Sequence, residues 1–197
     1  MTRVKIVDVV NRTVVREGDS PPAQFSVVVL ADESNRKALP IWIGRSEGAA
    51  IAMGVRHGTT PRPLTFVTVG QILRATGTEI AEVEINRLEG DTFHARIGLR
   101  TQSGTSTVDA RPSDALAMAV QFDAPIHVAD EVLAQAGIDV DGNDKEGQDG
   151  KSLDAIVAEI EDPARWRRIA SWPEGRERAC RELISEVFGS LPPEGEG

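Results

Sequence analysis

The feature that most constrains this fold is a stretch in which apolar and polar side chains alternate. In residues 92–100 the apolar set is Phe93, Ala95, Ile97 and Leu99, and the polar set is Thr92, His94, Arg96 and Arg100. Successive side chains of a β-strand point to opposite faces of the sheet, so this stretch predicts a strand with one buried face. The chain is therefore expected to contain a sheet whose apolar side is covered by other elements.

Other strands and helices precede and follow this strand without a regular alternation. Strands are predicted over residues 3–10, 24–31, 38–43, 78–88, 105–110 and 125–128, and helices over 44–57, 63–76, 112–120 and 131–135. The polar turn between the second and third strands predicts a β-hairpin, and proline and glycine in residues 11–23 predict a loop. The order predicts an α+β fold, a compact single domain with a mixed, strongly curved β-sheet flanked by helices, rather than a doubly wound sheet.

The last third of the chain differs in composition from the rest. Residues 1–136 are expected to form the folded domain, and residues 137–151, rich in Gly, Asp and Asn, an acidic flexible linker. Residues 152–190 are predicted to form a helical C-terminal extension whose apolar residues dock on another surface, followed by a disordered tail over 191–197.

Composition excludes several classes of protein. No apolar run approaches the roughly 20 residues that a membrane helix needs, and charges interrupt the first residues, so neither a membrane span nor a signal peptide is expected. The single cysteine, Cys180, rules out an intrachain disulfide framework and fits a cytoplasmic location. The net charge of −9 argues against electrostatic coating of nucleic acid. Much of the acidity lies after residue 130, however, which leaves room for a local basic groove.

Three sequence blocks stand out by their order and spacing. They are residues 39–48 (LPIWIGRSEG), residues 61–65 (PRPLT), and residues 109–115 (DARPSDA) followed by 124–128 (APIHV). Together they resemble the bifunctional nuclease family over residues 3–136. The resemblance implies a compact α+β domain, a homo-oligomer, and RNase or DNase activity with nucleic acid as substrate. Family members commonly carry a histidine after the second block, where this chain has Phe66, so any acid or base role of that histidine is missing here.

The three blocks also hold the residue types that phosphodiester hydrolysis requires. Carboxylates suit general acid–base chemistry and bind Mg²⁺ or Mn²⁺, and arginine grips phosphate through two parallel hydrogen bonds. Helix N-termini after the two Arg-Pro pairs could add backbone N–H donors. We hypothesise that one polar cleft contains three catalytic acids, Asp109, Asp114 and Glu47, with Asp109 and Asp114 as metal ligands, and four substrate-binding residues, Arg62, Arg111, Thr65 and Ser113. No organic cofactor is expected.

Each of these residues also has a structural interpretation. Asp109 and Arg111 can pair beside a helix start that Ser113 or Asp114 caps, and Glu47 can complement a helix dipole. Trp42 fits a core or subunit-interface position better than a base-stacking one, and no histidine pair has metal-ligand spacing. The resemblance, together with this set of acids and arginines, favours a nuclease acting on RNA or DNA, with a non-enzymatic oligomeric binding or regulatory module as the alternative.

Overall fold

The computed structural model describes residues 1–14, 23–34, 36–140 and 155–156. Its strands are β1 (Thr2–Val14), β2 (Ala23–Asp32), β3 (Lys37–Gly44), β4 (Glu79–Glu89), β5 (Thr92–Thr101), β6 (Gly104–Ala110), β7 (Ile126–Val128) and β8 (Ile138–Asp139). Its helices are α1 (Arg45–Val55), α2 (Thr65–Ala75), α3 (Pro112–Phe122) and α4 (Asp130–Ala136). No helix within these ranges is long and apolar enough to cross a membrane.

All eight described strands belong to one mixed sheet. Their order is β6-β5-β4-β7-β1-β2-β3-β8. Neighbours pair antiparallel except β4 and β7, which run parallel. The α+β class, the mixed sheet and the 24–31/38–43 hairpin are confirmed, whereas the strong curvature of the sheet stays a prediction.

The two faces of β5 differ as the alternation predicted, with the apolar face buried and the polar face exposed. Ala95 is fully buried and lies opposite Ile85 of β4, which is buried on the same face. Arg96 is exposed and pairs with Glu84 on the other face. Buried residues of α1, α3 and α4, among them Leu116, cover the apolar face and form with it the first core.

The β1–β2–β3 end of the sheet is covered on both faces. Residues 27–31 of β2 are buried without interruption, as expected of a strand with packing on each side. On the face opposite the helices lies a second core, formed by Val10, Val27, Val29, Ala38, Val140 and Ile156. The helical pair Ala155–Ile156 therefore brings the start of the predicted C-terminal extension onto the sheet.

Helices α1 and α3 run side by side in the same direction. Glu47 in the first turn of α1 contacts Arg111 at the start of α3. Near the other end, a side chain at Gly54 would collide with Val120, so the helices approach closely there. The N-termini of α1 and α3 consequently lie next to each other.

Several boundaries differ from the predicted ones. Strand β1 continues to Val14, through the first residues of the predicted loop, because it keeps pairing with β2. Helix α2 begins at Thr65 rather than at Pro63. His57, with φ of 50°, adopts the left-handed conformation expected of Gly58, and its N–H donates to the carbonyl of Gly54.

Part of the predicted linker is a strand. Ile138 pairs with Ala38 of β3, and the Val140 N–H donates to the Arg36 carbonyl at 2.8 Å. The division into a domain, linker, extension and tail stays a prediction. Residues 141–154 and 157–197 lie outside the described part of the chain.

Candidate functional site

Three of the predicted site residues meet at the paired helix N-termini. Arg111 donates to Asp114 through two parallel hydrogen bonds, Nε to Oδ2 at 2.8 Å and Nη2 to Oδ1 at 2.9 Å. Its Nη1 lies 3.4 Å from Glu47 Oε1. We call Glu47, Arg111 and Asp114 the Arg111 cluster.

Short connections between strands and helices place this cluster. Strand β6 ends at Ala110 and α3 begins at Pro112, so Arg111 is the residue between them and the N-cap of α3. Proline at the first helical position suits this start, because its fixed φ is already helical. Asp114 lies in the first turn of α3, and Glu47 in the first turn of α1.

The sequence interpretation missed a glycine that makes room for the cluster. A side chain at Gly44, the residue before α1, would collide with the carboxylate of Glu47. Gly44 is part of the first sequence block, directly before the predicted helix. Its position next to an acid of the first helical turn was the signal that could have identified this role.

The electrostatics of the cluster are nearly balanced. The hydrogen bond to Asp114, followed by the negative charges of Asp114 and Glu47, raises the pKa of Arg111 above its ordinary value. Arginine therefore stays positively charged here at any physiological pH. One cation and two carboxylates leave a formal charge of −1, which the positive ends of two helix dipoles offset. The Arg111 side chain is 67% exposed, so the cluster is open to a solvent-borne ligand.

Asp109 does not join the cluster through any described contact. It lies opposite Arg96 across β5 and β6, while Ala110 lies opposite the buried Ala95. Neighbouring residues of a strand point to opposite faces, so Asp109 points away from α1 and α3. Arg111 accordingly pairs with Asp114 and Glu47 and not with Asp109.

The remaining predicted residues have different surroundings. Ser113 is only 6% exposed. Arg62 and Thr65 are exposed at the start of α2, and among the described residues no ion pair or hydrogen bond joins either side chain to the cluster. Within the described ranges no three His, Cys, Asp or Glu side chains converge as a metal-binding group.

Most arginines along the sheet already have acidic partners. The pairs are Arg3–Glu33 at 3.4 Å, Arg87–Glu89 at 2.8 Å, Arg100–Glu79 at 3.9 Å, and Arg96–Glu84. Of the histidines, His94 Nε2 lies 3.6 Å from Glu89, and His127 Nδ1 lies 3.3 Å from Glu82 without hydrogen-bond geometry. The polar face of β5 therefore carries several ion pairs and offers little unpaired positive charge.

Two aromatic residues take packing positions. Phe66, at the position where the resemblance led us to expect a histidine, packs against the first core. Trp42 packs against the second core with its ring centroid 4.9 Å from that of Phe25. The core interpretation of Trp42 agrees with this placement.

Comparison with known proteins identifies relatives of this chain. An uncharacterized protein of Mycobacterium tuberculosis is 39% identical over 117 residues, which are 59% of this chain and 70% of the relative. Bifunctional nuclease 1 of Oryza sativa subsp. japonica is 25% identical over 133 residues, 66% of this chain and 40% of the rice protein. Bifunctional nuclease 2 of the same plant is 28% identical over 120 residues, 58% of this chain and 36% of the relative.

A family model gives the same assignment and contains the whole candidate site. The model of the bifunctional nuclease domain matches residues 28–141, more than half of the chain. The matched range includes the second half of β2, strands β3 to β8, the four described helices and the Arg111 cluster. The chain therefore belongs to the bifunctional nuclease domain family.

Proposed function

We propose that this protein is a nuclease that hydrolyses phosphodiester bonds in RNA or DNA at the Arg111 cluster. The observation that carries the proposal is the convergence of one arginine and two carboxylates at adjacent helix N-termini. Family membership supplies the reaction class, since two relatives carry the name bifunctional nuclease. A cytoplasmic location and assembly as a homo-oligomer are parts of the same proposal.

The chemistry would begin with an exchange of partners on Arg111. A phosphate presents two oxygens to a guanidinium in the same forked geometry as a carboxylate, so it can replace Asp114 on Nε and Nη2. Backbone N–H groups at the start of α1 would add further donors to the phosphoryl oxygens. Glu47, 3.4 Å from Nη1, would keep the guanidinium in place during the exchange.

The displaced Asp114 carboxylate would then serve as general base. It would accept a proton from a water molecule whose oxygen bonds to phosphorus, while the bond from phosphorus to the leaving oxygen breaks. The leaving oxygen would take its proton from solvent. Arg111 would neutralise the charge that grows on the phosphoryl oxygens, which is the main electrostatic demand of this reaction.

Mg²⁺ or Mn²⁺ dependence is a further part of the proposal. Mg²⁺ in nucleotide-processing sites is usually held by one or two carboxylates, with water and phosphate oxygens completing its shell. Glu47 and Asp114, which share one guanidinium, offer two such donors. A bound divalent ion would supply additional neutralisation of phosphate charge. Asp109, which points to the face of the sheet away from α1 and α3, is not among these donors, so the expected ligand pair of Asp109 and Asp114 has no support from the arrangement of β6. The roles of Arg62 and Thr65 in substrate binding stay predictions.

The alternative, a non-enzymatic binding or regulatory module, is favoured by three observations. The arginines of the sheet are paired with glutamates, and the cluster itself is charge-compensated without a ligand. Phe66 also replaces the usual histidine with an apolar core contact. Under this alternative the Arg111 cluster ties α1 to α3 and has no substrate.

Cleavage of labelled single- and double-stranded RNA and DNA by highly purified protein tests the proposal. The reactions contain Mg²⁺, Mn²⁺ or EDTA, and the variants are Asp114→Asn and Arg111→Lys. Arg96→Lys is the matched control, because Arg96 forms a similar exposed pair with Glu84 on the opposite face. Loss of a general base typically lowers the rate about 10²- to 10⁴-fold, so Asp114→Asn is expected to lose at least 100-fold, whereas Arg96→Lys keeps wild-type activity.

The outcomes separate the two functions. Cleavage that Asp114→Asn retains in full would remove the Arg111 cluster from the reaction. Absence of cleavage by folded wild-type protein under every condition would support the binding module. Cleavage that EDTA leaves unchanged would refute the metal dependence alone.

A further inference from the structure

Helix α2 carries an exposed apolar surface outside the Arg111 cluster. Only Gly70 of this helix is buried. Ile72 is 58% exposed, more than any other described large apolar residue, and Val69 is 39% exposed. Residues three and four apart share a helix face, so Val69 neighbours both Ile72 and the half-buried Leu73. These three residues form a continuous strip, which we call the α2 strip.

A groove of about 220 Å³ lies beside the α2 strip. Its lining residues are Gly70, Leu73, Arg74, Thr78, Glu79, Ile80 and Phe122. Leu73 belongs to both the strip and the groove, so the strip and the groove form one continuous surface. A side chain at Gly70 would collide with the Phe122 ring, so the glycine lets that ring lie directly on the backbone of α2 as one wall of the groove.

The lining of the groove includes one charge of each sign. The Arg74 guanidinium lies 5.0 Å from the centre of the Phe122 ring. Glu79 begins β4, and its Oε2 lies 3.9 Å from Nη1 of Arg100, which is a long distance for an ion pair. Both side chains are exposed. The surface therefore combines a protruding aliphatic residue, an apolar recess, a cation and an anion.

We propose that the α2 strip and its groove pair with the same surface of a second copy of this chain around a two-fold axis. A two-fold interface brings identical patches together, so the patch must be complementary to itself. Here Ile72 of one copy enters the groove of the other, and Arg74 of one copy faces Glu79 of the other. Because Arg74 and Glu79 have opposite charges, this arrangement forms two favourable Arg74–Glu79 contacts between the copies, one on each side of the axis.

Sedimentation velocity of the full chain over a wide concentration range tests the interface. Ile72→Lys is expected to weaken self-association by at least about 30-fold, which corresponds to the 2 kcal/mol of an interface hot spot. Val55→Lys is the matched control, because Val55 is also an exposed apolar residue, 40% exposed, but lies at the end of α1. It is expected to associate as the wild type does, and circular dichroism checks that both variants fold.

A charge exchange gives a second, independent readout. Arg74→Glu alone and Glu79→Arg alone are each expected to weaken association, since each creates a like-charge contact across the axis. The double variant is expected to regain most of the wild-type association, because the pair is restored with its signs reversed. A monomeric wild type, or an Ile72→Lys variant that associates like the wild type, overturns the proposal and assigns the α2 strip to another occupant.

Discussion

Ile156 is expected to stabilise the domain although it lies beyond the matched family range. Its side chain is fully buried among Val10, Val27, Val29, Ala38 and Val140 on the sheet face opposite the helices. Ile156→Ala removes three carbons, worth about 2.5 kcal/mol at roughly 0.8 kcal/mol per buried methylene. The cavity left behind adds to this, and about 3–4 kcal/mol is expected in total, within the usual range for such truncations.

Urea unfolding followed by far-UV circular dichroism measures this loss directly. For a chain of this size each kcal/mol lowers the melting temperature by about 2–4 °C, so a thermal melt is expected to shift by roughly 6–16 °C. The control is Val55→Ala, whose exposed side chain predicts a change within about 0.5 kcal/mol. A chain that ends at residue 141 lacks the same contact and is expected to lose at least as much as Ile156→Ala.

The reasoning is refuted if Ile156→Ala unfolds within about 0.5 kcal/mol of the wild type, the range typical of surface substitutions. In that case the second core does not depend on Ile156. If Ile156→Ala behaves as expected but the shortened chain is as stable as the wild type, residues beyond 141 are not needed for folding.

Two further predictions concern α2 and the hairpin turn. Gly70→Ala is expected to lower the unfolding free energy by about 1–3 kcal/mol, because the added methyl group would collide with the Phe122 ring. Urea unfolding measures this loss, and Thr68→Ala, at an exposed position of α2, is the control. Partial burial raises the pKa of Asp32, but hydrogen bonds from Ser34 and from the Lys37 and Arg36 backbones lower it overall below 3.8. Asp32→Ala is therefore expected to cost about 1 kcal/mol at neutral pH. This difference should shrink as the pH falls below 3.8 through the folded-state pKa, and a constant difference down to pH 2 would contradict it.

The Arg111 cluster shows how far local sequence reasoning reaches. Arg111, Asp114 and Glu47 were all selected from the sequence, because an arginine before a helix and acids in first turns have recognisable spacing. Their mutual contacts depend on α1 and α3 lying parallel, which no local pattern specifies. Asp109 was selected as a carboxylate of the same sequence block but points to the other face, because one residue along a strand reverses the direction of the side chain.

Sequence patterns were weaker where tertiary contacts decide the local structure. Residues 138–140 lie within the predicted linker, yet β3 offers them unpaired backbone groups, and they complete the sheet edge. His57 takes the left-handed conformation one residue before the glycine that is chemically suited to it. The strand depends on the free edge of β3, and only at His57 does the observed conformation go against residue propensity.

The sequence by itself determined the α+β class, most of the strands and helices, the two-faced character of β5, and the family. Those properties follow from the periodicity of apolar residues and from short motifs, which act over a few neighbouring positions. Only the tertiary structure decided which charges meet at the Arg111 cluster, which face Asp109 takes, and that Ile156 closes a second core. These depend on contacts between residues that lie far apart in the chain, which the fold brings together.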